Sequence, residues 1–357
     1  MRRLICAAAL LGLLAAACSG SEPEAEPVAT QSPAVSPTES PTPTPTPTPT
    51  PDTAPLTGLP VDDPAVLERP VLAAKIDNAP KARPQVGLEV ADVVIEELVE
   101  GGTTRFIALY HSVDPGQIGP VRSGREVDAN LLPAFQPVLA ISGAAAPVNR
   151  DFANAGLLVL SYDAGHPAFS NDPGRPRPHH VIGSTEALWA AAPDLPPAAL
   201  AWPFDAAAQP GGEEALEVAL RFSPAASATW TWDASRREWL RAQGAEPHMT
   251  ASGEQIAAST VIVPKIVVTQ GTRVDSAGNP TANLQVVGDG EALILRDGQV
   301  FEARWSKAAP GEQFQWLTPS GAAFPLAPGR SWIELLPVSG QVDVLGPGTP
   351  AASASEG

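Results

Sequence analysis

Asp77, Asn78, Arg83, Glu96, Glu100, Arg105, Arg122, Ser123 and Arg125, joined by His179 further along, form the richest set of polar side chains in the sequence. Arginine forks grip carboxylate or phosphate through paired N–H donors. Arg83, Arg105, Arg122, Ser123, Arg125, Asp77 and Asn78 are therefore candidate ligand-binding residues. Glu96 or Glu100 could act as general acid or base, with His179 as a proton shuttle, which makes these three the catalytic candidates. No nucleophile stands beside a recognisable base motif. A second reading is open, because arginines near a helix start commonly pair with internal carboxylates, and Glu96, Glu97 and Glu100 lie just upstream. In that reading Arg122 turns to Glu96 or Glu100, and Arg125 faces solvent or ligand.

The elements that must position these residues centre on 104–128. Alternation over 106–110 predicts a half-buried strand, and Val113-Asp114-Pro115-Gly116 a turn. Ser123 and Glu126 have capping-box spacing, which predicts a helix from near Gly124 to Leu132, stopped by Pro133. Its exposed amides and dipole, with Arg122 and Arg125, would make an anion seat. Further strands are predicted at 71–76, 92–98, 138–142 and 157–161, and helices at 147–155 and 185–192, the latter capped by Ser184. The expected fold class is α/β, with a mixed-sheet α/β domain over 56–205.

After the proline-rich stretch 193–210 the pattern changes to that of a β-rich domain over 215–340. A hairpin is predicted around 233–236, and Asp297-Gly298 is the strongest hairpin turn in the chain. The strand pattern at 261–263 and 266–268 is interrupted by Pro264, which suits an edge or a bulge. Short strands at 314–317, 323–326 and 331–335 complete this domain. Six of the eight tryptophans follow residue 220 and are assigned to its core. Residues 341–357 are expected to be a disordered tail.

The N-terminus places the protein. A basic start (Arg2, Arg3), an apolar run and Ala15-Ala16-Ala17 before Cys18 read as a signal peptide over 1–17. Small residues followed at once by Cys match a lipobox, the site where the new N-terminal Cys18 receives diacylglycerol and acyl chains such as palmitate. The partner expected first is thus a membrane, reached through a lipid anchor on the extracytoplasmic face of the cell membrane. Residues 18–55 hold the lipidated Cys and a disordered linker; 19–55 carries 11 of the 41 prolines and no Lys or Arg. As polyproline II it would reach roughly 110 Å from the bilayer.

Loss of Arg2 and Arg3 with the signal leaves 20 basic against 39 acidic residues, a net charge of −19. Nucleic acid is excluded as a partner on that balance. Cys6 and Cys18 are the two cysteines, so the mature chain has neither an internal disulfide nor a thiolate metal site. His166, His179, His180, Asp163 and Asp172 match no metal-ligand spacing and fall in a stretch stiffened by Pro167, Pro173, Pro176 and Pro178. No metal site and no cofactor are expected.

Taken together, Ala73-Ala74-Lys75-Ile76-Asp77-Asn78, Ala82-Arg83-Pro84-Gln85-Val86-Gly87-Leu88, Ala91-Asp92-Val93-Val94-Ile95-Glu96-Glu97, Glu100-Gly101-Gly102-Thr103-Thr104-Arg105-Phe106 and Gly119-Pro120-Val121-Arg122-Ser123-Gly124-Arg125 resemble the YerB-like bacterial lipoproteins, domain of unknown function 3048. Trp232-Asp233, 259–263 and 328–334 resemble the C-terminal domain of that family. The resemblance implies a two-domain surface lipoprotein and no particular activity. Where the family is expected to carry Pro-His-Asn, this chain has Pro178-His179-His180. Two functional classes stay open: a lipoprotein that binds an anionic cell-envelope ligand or an envelope protein partner, and an envelope hydrolase or transferase using the carboxylate and His set. Full pairing of carboxylates with arginine favours the first; a buried carboxylate without such a partner, facing an open pocket, favours the second.

Overall fold

Alternating β-branched and aromatic residues make strands the dominant regular structure of this chain. A computed structural model describes residues 52–199, 202–274 and 278–347 and arranges the strands in three sheets. The signal peptide, Cys18, the linker up to residue 51 and residues 348–357 lie outside the described residues. Among the described residues no helix is long and apolar enough to cross a membrane.

The first half supplies β1 (Leu72–Asp77), β2 (Val93–Leu98), β3 (Thr104–Tyr110), β4 (Val138–Ile141) and β5 (Leu158–Ser161). Its helices are short: α1 (Asp128–Leu131), α2 (Ala146–Asn154) and α3 (Thr185–Ala190), with Ser184 capping α3. The second half adds β6 (Glu217–Ser223), β7 (Ala226–Asp233), β8 (Glu238–Gln243), β9 (Thr260–Val274), β10 (Pro280–Gln285), β11 (Gly288–Arg296), β12 (Gln299–Lys307), β13 (Gln315–Leu317), β14 (Ser331–Glu334) and β15 (Gln341–Leu345). Strands dominate, and the sheets are mixed. The α/β expectation holds for the parallel strands of the first half, whereas the whole molecule is strand-rich with few helices.

The largest sheet runs β13-β12-β11-β9-β14-β2-β3-β1-β4-β5, so strands from both halves share it. β14 lies parallel between β2 and β9. One face packs against the second sheet, built mainly from β8, β7, β6 and β15, through Val94, Phe106, Val218, Trp230, Trp239 and Trp332. The other face, which carries Trp305 and Trp316 on β12 and β13, packs against α1 and α2 and against Trp202. The tryptophans assigned to the core are there: Trp230, Trp239, Trp305, Trp316 and Trp332 are buried, and Trp232 packs on Trp239 at 5.4 Å.

Several expectations are corrected. The helix expected from near Gly124 starts at Asp128 and lasts one turn, because the main chain of Arg122 and Gly124 bonds to the neighbouring strand ends and Ser123 O accepts from the Arg105 side chain instead. Pro264 marks neither an edge nor a bulge; β9 continues through it as an interior strand. The ring falls where β9 passes from pairing with β14 to pairing with Leu336–Pro337, a gap where a missing N–H is tolerated. Residues 341–345, expected to be tail, form β15 against β6, with Val342 packed on the core. The 331–335 strand does not complete a C-terminal sheet; it joins β2. The turn at Asp297-Gly298 is as expected, with φ of 52° and 73° at its two residues.

Candidate functional site

The carboxyl ends of the parallel strands β1, β4 and β5 lie side by side, the place where open α/β sheets leave a crevice. The segment 120–124 wedges into it. Asp77 N–H donates to Pro120 O and Arg122 N–H to Lys75 O; Ser142 N–H donates to Arg122 O and Gly124 N–H to Gly143 O. A short extended strand thus joins β1 to β4 where their own pairing stops. It delivers Arg122, Ser123 and Arg125 to the strand ends without any helix. The anion seat at a helix start is therefore absent: Ser123 Oγ lies 3.3 Å from Ser142 Oγ, and Glu126 pairs with Arg273 instead of closing a capping box.

Charges pair closely around this wedge. Arg122 Nε lies 3.0 Å from Asp77 Oδ2, off the line of its N–H, so it is an ion pair without a hydrogen bond. His179 Nδ1 sits 2.6 Å from the same oxygen. Arg125 donates from Nε and Nη2 to Glu100 Oε2 at 2.9 and 2.7 Å. The expected division of roles is thus reversed in part: Arg122 meets Asp77, not Glu96 or Glu100, and Arg125 is the residue that meets Glu100. Arg105, 8% exposed, pairs across the ladder with Asp77 and Glu97, but among the described residues its side chain hydrogen-bonds only to Ser123 O, at 3.2 Å. Burial, with Arg125 and Arg122 close by, pulls its guanidinium down to about 10. Arg83 makes no hydrogen bond or ion pair among the described residues, its Nε is buried, and burial followed by the Arg241 charge lowers it too. These two cations are held with less counter-charge than their burial demands.

The pleat separates neighbours in sequence. Glu97 points to the helix side, where it and Asp128 flank Lys75, the latter at 2.6 Å, all three fully enclosed. Burial, opposed by the Lys75 charge and reinforced by that of Asp128, raises Glu97 to about 7. Glu96 points to the other face. There Oε2 accepts from Arg241 Nη2 at 2.6 Å, and Oε1 accepts from Thr104 Oγ1 at 2.5 Å and weakly from Asn78 Nδ2 at 3.4 Å. Asn78 Nδ2 also donates to Thr104 Oγ1 and to Gln243 Oε1. Glu334 lies in register beside Glu96 on β14; burial and the Glu96 charge push its carboxyl well above the usual range, and Trp230 Nε1 donates to it at 2.8 Å. Arg241 is ringed by Phe106, Trp230 and Trp332, at 5.4, 5.9 and 5.1 Å.

The candidate set therefore falls on two sides of one sheet. Asp77, Arg105, Arg122, Ser123, Arg125, Glu100 and His179 gather at the wedge. Asn78 and Glu96 belong instead to a buried network with Arg241, Gln243 and, through Arg241 Nη1 and His248 Nδ1 at 2.6 Å, with His248 and Gln85. Sequence reasoning passed over Arg241, although period-two alternation sets it on the face of Trp239. The loop 172–180 folds over 82–84: Arg175 donates to Ala82 O and Pro84 O at 2.7 and 2.6 Å and to Asp172 at 3.0 Å. His180 is buried with neither ring nitrogen bonded, its ring edge-on to Tyr162. Among the described residues no group of His, Cys, Asp or Glu is arranged to hold a metal ion.

The family model for the N-terminal domain of "Protein of unknown function (DUF3048)" matches residues 56–198, and that for its C-terminal domain matches 218–333. The chain belongs to the DUF3048 family. It is 28% identical over 298 residues to a Bacillus subtilis (strain 168) protein named "Putative lipoprotein YerB", covering 79% of this chain and 86% of that protein. The crystal structure of the Bacillus subtilis YerB protein matches with a TM-score of 0.71 at 24% identity, covering 82% of this chain and 99% of the other. That likeness shows a common overall fold. The wedge and the Arg241 network are features of this DUF3048 chain read from its own side chains.

Proposed function

We propose that this protein is a lipoprotein anchored through Cys18 to the extracytoplasmic face of the cell membrane, and that its wedge binds an anionic ligand of the cell envelope. The observation that carries the reading is an imbalance of charge: each candidate carboxylate has a basic partner, while among the described residues buried Arg105 at the wedge has one main-chain carbonyl, and Arg83, within electrostatic reach of Arg241, Glu96 and Asp77, makes no hydrogen bond or ion pair. A bound carboxylate or phosphate would supply the missing counter-charge. Glu96, enclosed and committed through both oxygens, Glu100, held by Arg125, and His179, held by Asp77, are poorly placed for acid–base work. The lipobox-like N-terminus and the lipoprotein name of the Bacillus subtilis relative support the anchor.

Two measurements test this. Replacing Cys18 by Ala is expected to leave the precursor uncleaved or to release the protein from membranes, since acyl chains supply the binding that an acidic body lacks; wild-type fractionation and maturation would overturn the anchor. Titration of the purified protein with a polyglycerol phosphate is expected to show binding that Arg83→Met weakens by about tenfold, the loss of one charge-assisted contact. An acidic peptide in a parallel titration separates a wall polymer from a protein partner. Absence of binding to both would overturn the anionic-ligand reading.

A further inference from the structure

Two clefts on the helix side of the large sheet meet at the Glu126–Arg273 ion pair. The larger, of about 650 Å³, has α1 and α2 as one wall and the outer parts of β9 and β10 as the other. Asn130 and Asn154 project from the helix wall, Gln270 and Asn283 from the strand wall. Among the described residues none of these four carboxamides makes a side-chain hydrogen bond, whereas those of Gln85 and Gln243 in the Arg241 network are engaged through both oxygen and nitrogen. A carboxamide donates and accepts at once, which is what a sugar hydroxyl needs, since it too does both. Pro310 and Ala129 add a small apolar wall.

The smaller cleft, about 170 Å³, continues past the ion pair towards Arg125 and Glu100. Two polar atoms buried in its wall have no partner among the described residues: Arg273 Nη1 and Thr281 Oγ1. Buried donors of this kind are costly unless something fills them. Arg273 also keeps more than a third of its side chain exposed, as does its partner Glu126, so this pair is cheap to open.

We propose that the joined clefts form a second binding site, for a polyhydroxylated glycan chain that carries a carboxylate. The four carboxamides read hydroxyl or acetamido groups in the wide cleft; Arg273 and Thr281 take the carboxylate in the narrow one. The size of the wide cleft is in the range of ligand sites. This site uses none of the Arg83–Arg105 cations, so its failure would leave the wedge reading intact, and the reverse also holds.

Ligand-observed NMR on the purified full chain tests it with two probes: an N-acetylglucosamine oligomer, and the same backbone with alternate N-acetylmuramic acid residues bearing the lactyl carboxylate. Both are expected to bind, the carboxylated one more tightly. Asn130→Ala with Gln270→Ala should weaken both probes by about tenfold, from the loss of two hydrogen-bonded contacts. Arg273→Met should abolish the preference for the carboxylated probe while leaving the neutral one in place. Thermal melts of the variants are expected to show an intact fold, since Gln270 is exposed and the Asn130 carboxamide makes no hydrogen bond among the described residues. Failure of both probes to bind, equal affinity for the two, or binding unchanged in the double variant would each overturn the proposal. So would loss of glycan binding in Arg83→Met, or displacement of the probes by an acidic peptide.

Discussion

At the scale of single residues, the wedge arginines differ in what each leaves behind. Removing Arg122 leaves Asp77 with the Ala79 N–H at 3.0 Å and His179, whereas removing Arg125 leaves Glu100 with no directly paired cation among the described residues. Arg125→Met is therefore expected to cost on the order of 3 kcal/mol, as for a stranded buried carboxylate, and Arg122→Met distinctly less. Paired thermal melts decide it; a larger loss at Arg122 would show that His179 does not compensate. Glu97 gives a pH dependence of definite sign. Its folded pKa, about 7, lies above the ordinary 4.5, so the folded state holds the proton more tightly and stability falls as pH rises. The contribution is fully present below about pH 4.5 and lost through about pH 7. Urea midpoints should fall across that window in wild type, and Glu97→Gln should flatten the slope. An unchanged slope would mean that another group of the Lys75 cluster titrates there.

At the scale of elements, legibility followed how local the determinant was. The strands at 72–77, 93–98, 104–110 and 138–141, the Ser184 cap and the Asp297-Gly298 turn depend on neighbours in sequence, and alternation or turn chemistry marks them. The wedge does not. Its capping-box spacing at Ser123 and Glu126 is a real local preference, overridden because the ends of β1 and β4 offer unpaired backbone groups that extended chain satisfies better. In the same way the strand ends were legible, but which face received Glu96 or Glu97, and that Arg241 would reach across to Glu96, depended on a sheet-to-sheet packing that no local spacing encodes. Gly124 tests the wedge as an element. A Cβ there would sit 2.7 Å from Cζ of Phe152 on α2, so Gly124→Ala should push the ring or the wedge aside and cost about 1–3 kcal/mol. A melt indistinguishable from wild type would show that α2 can retreat freely from the strand ends.

At the scale of the whole molecule, β14 binds the two halves of the chain together. It draws hydrogen bonds from β2 on one side and β9 on the other, and it carries Trp332 and Glu334 into the ring around Arg241. Arg241 belongs to the second half and its close carboxylate, Glu96, to the first. A fragment beginning at residue 211 would keep β6, β7, β8 and the tryptophans but lose Glu96, Phe106 and the β2 edge. That leaves a guanidinium ringed by apolar side chains beside Glu334, a carboxyl that burial keeps high and whose nearest approach to Arg241 is 3.7 Å. Such a fragment is expected to show red-shifted tryptophan emission and no cooperative melt alone, and to recover both when co-expressed with residues 52–210. A cooperative melt with blue emission from the fragment alone would show that the second half carries its own complete core. The full chain offers an independent check on the same link. Arg241→Met should cost about 3–5 kcal/mol because it strands Glu96 in the interior. Adding Glu96→Gln should restore part of that loss, since the uncompensated charge is then gone. If the double variant were no more stable than Arg241→Met, the aromatic ring around Arg241, and not its ion pair with Glu96, would be what joins the halves.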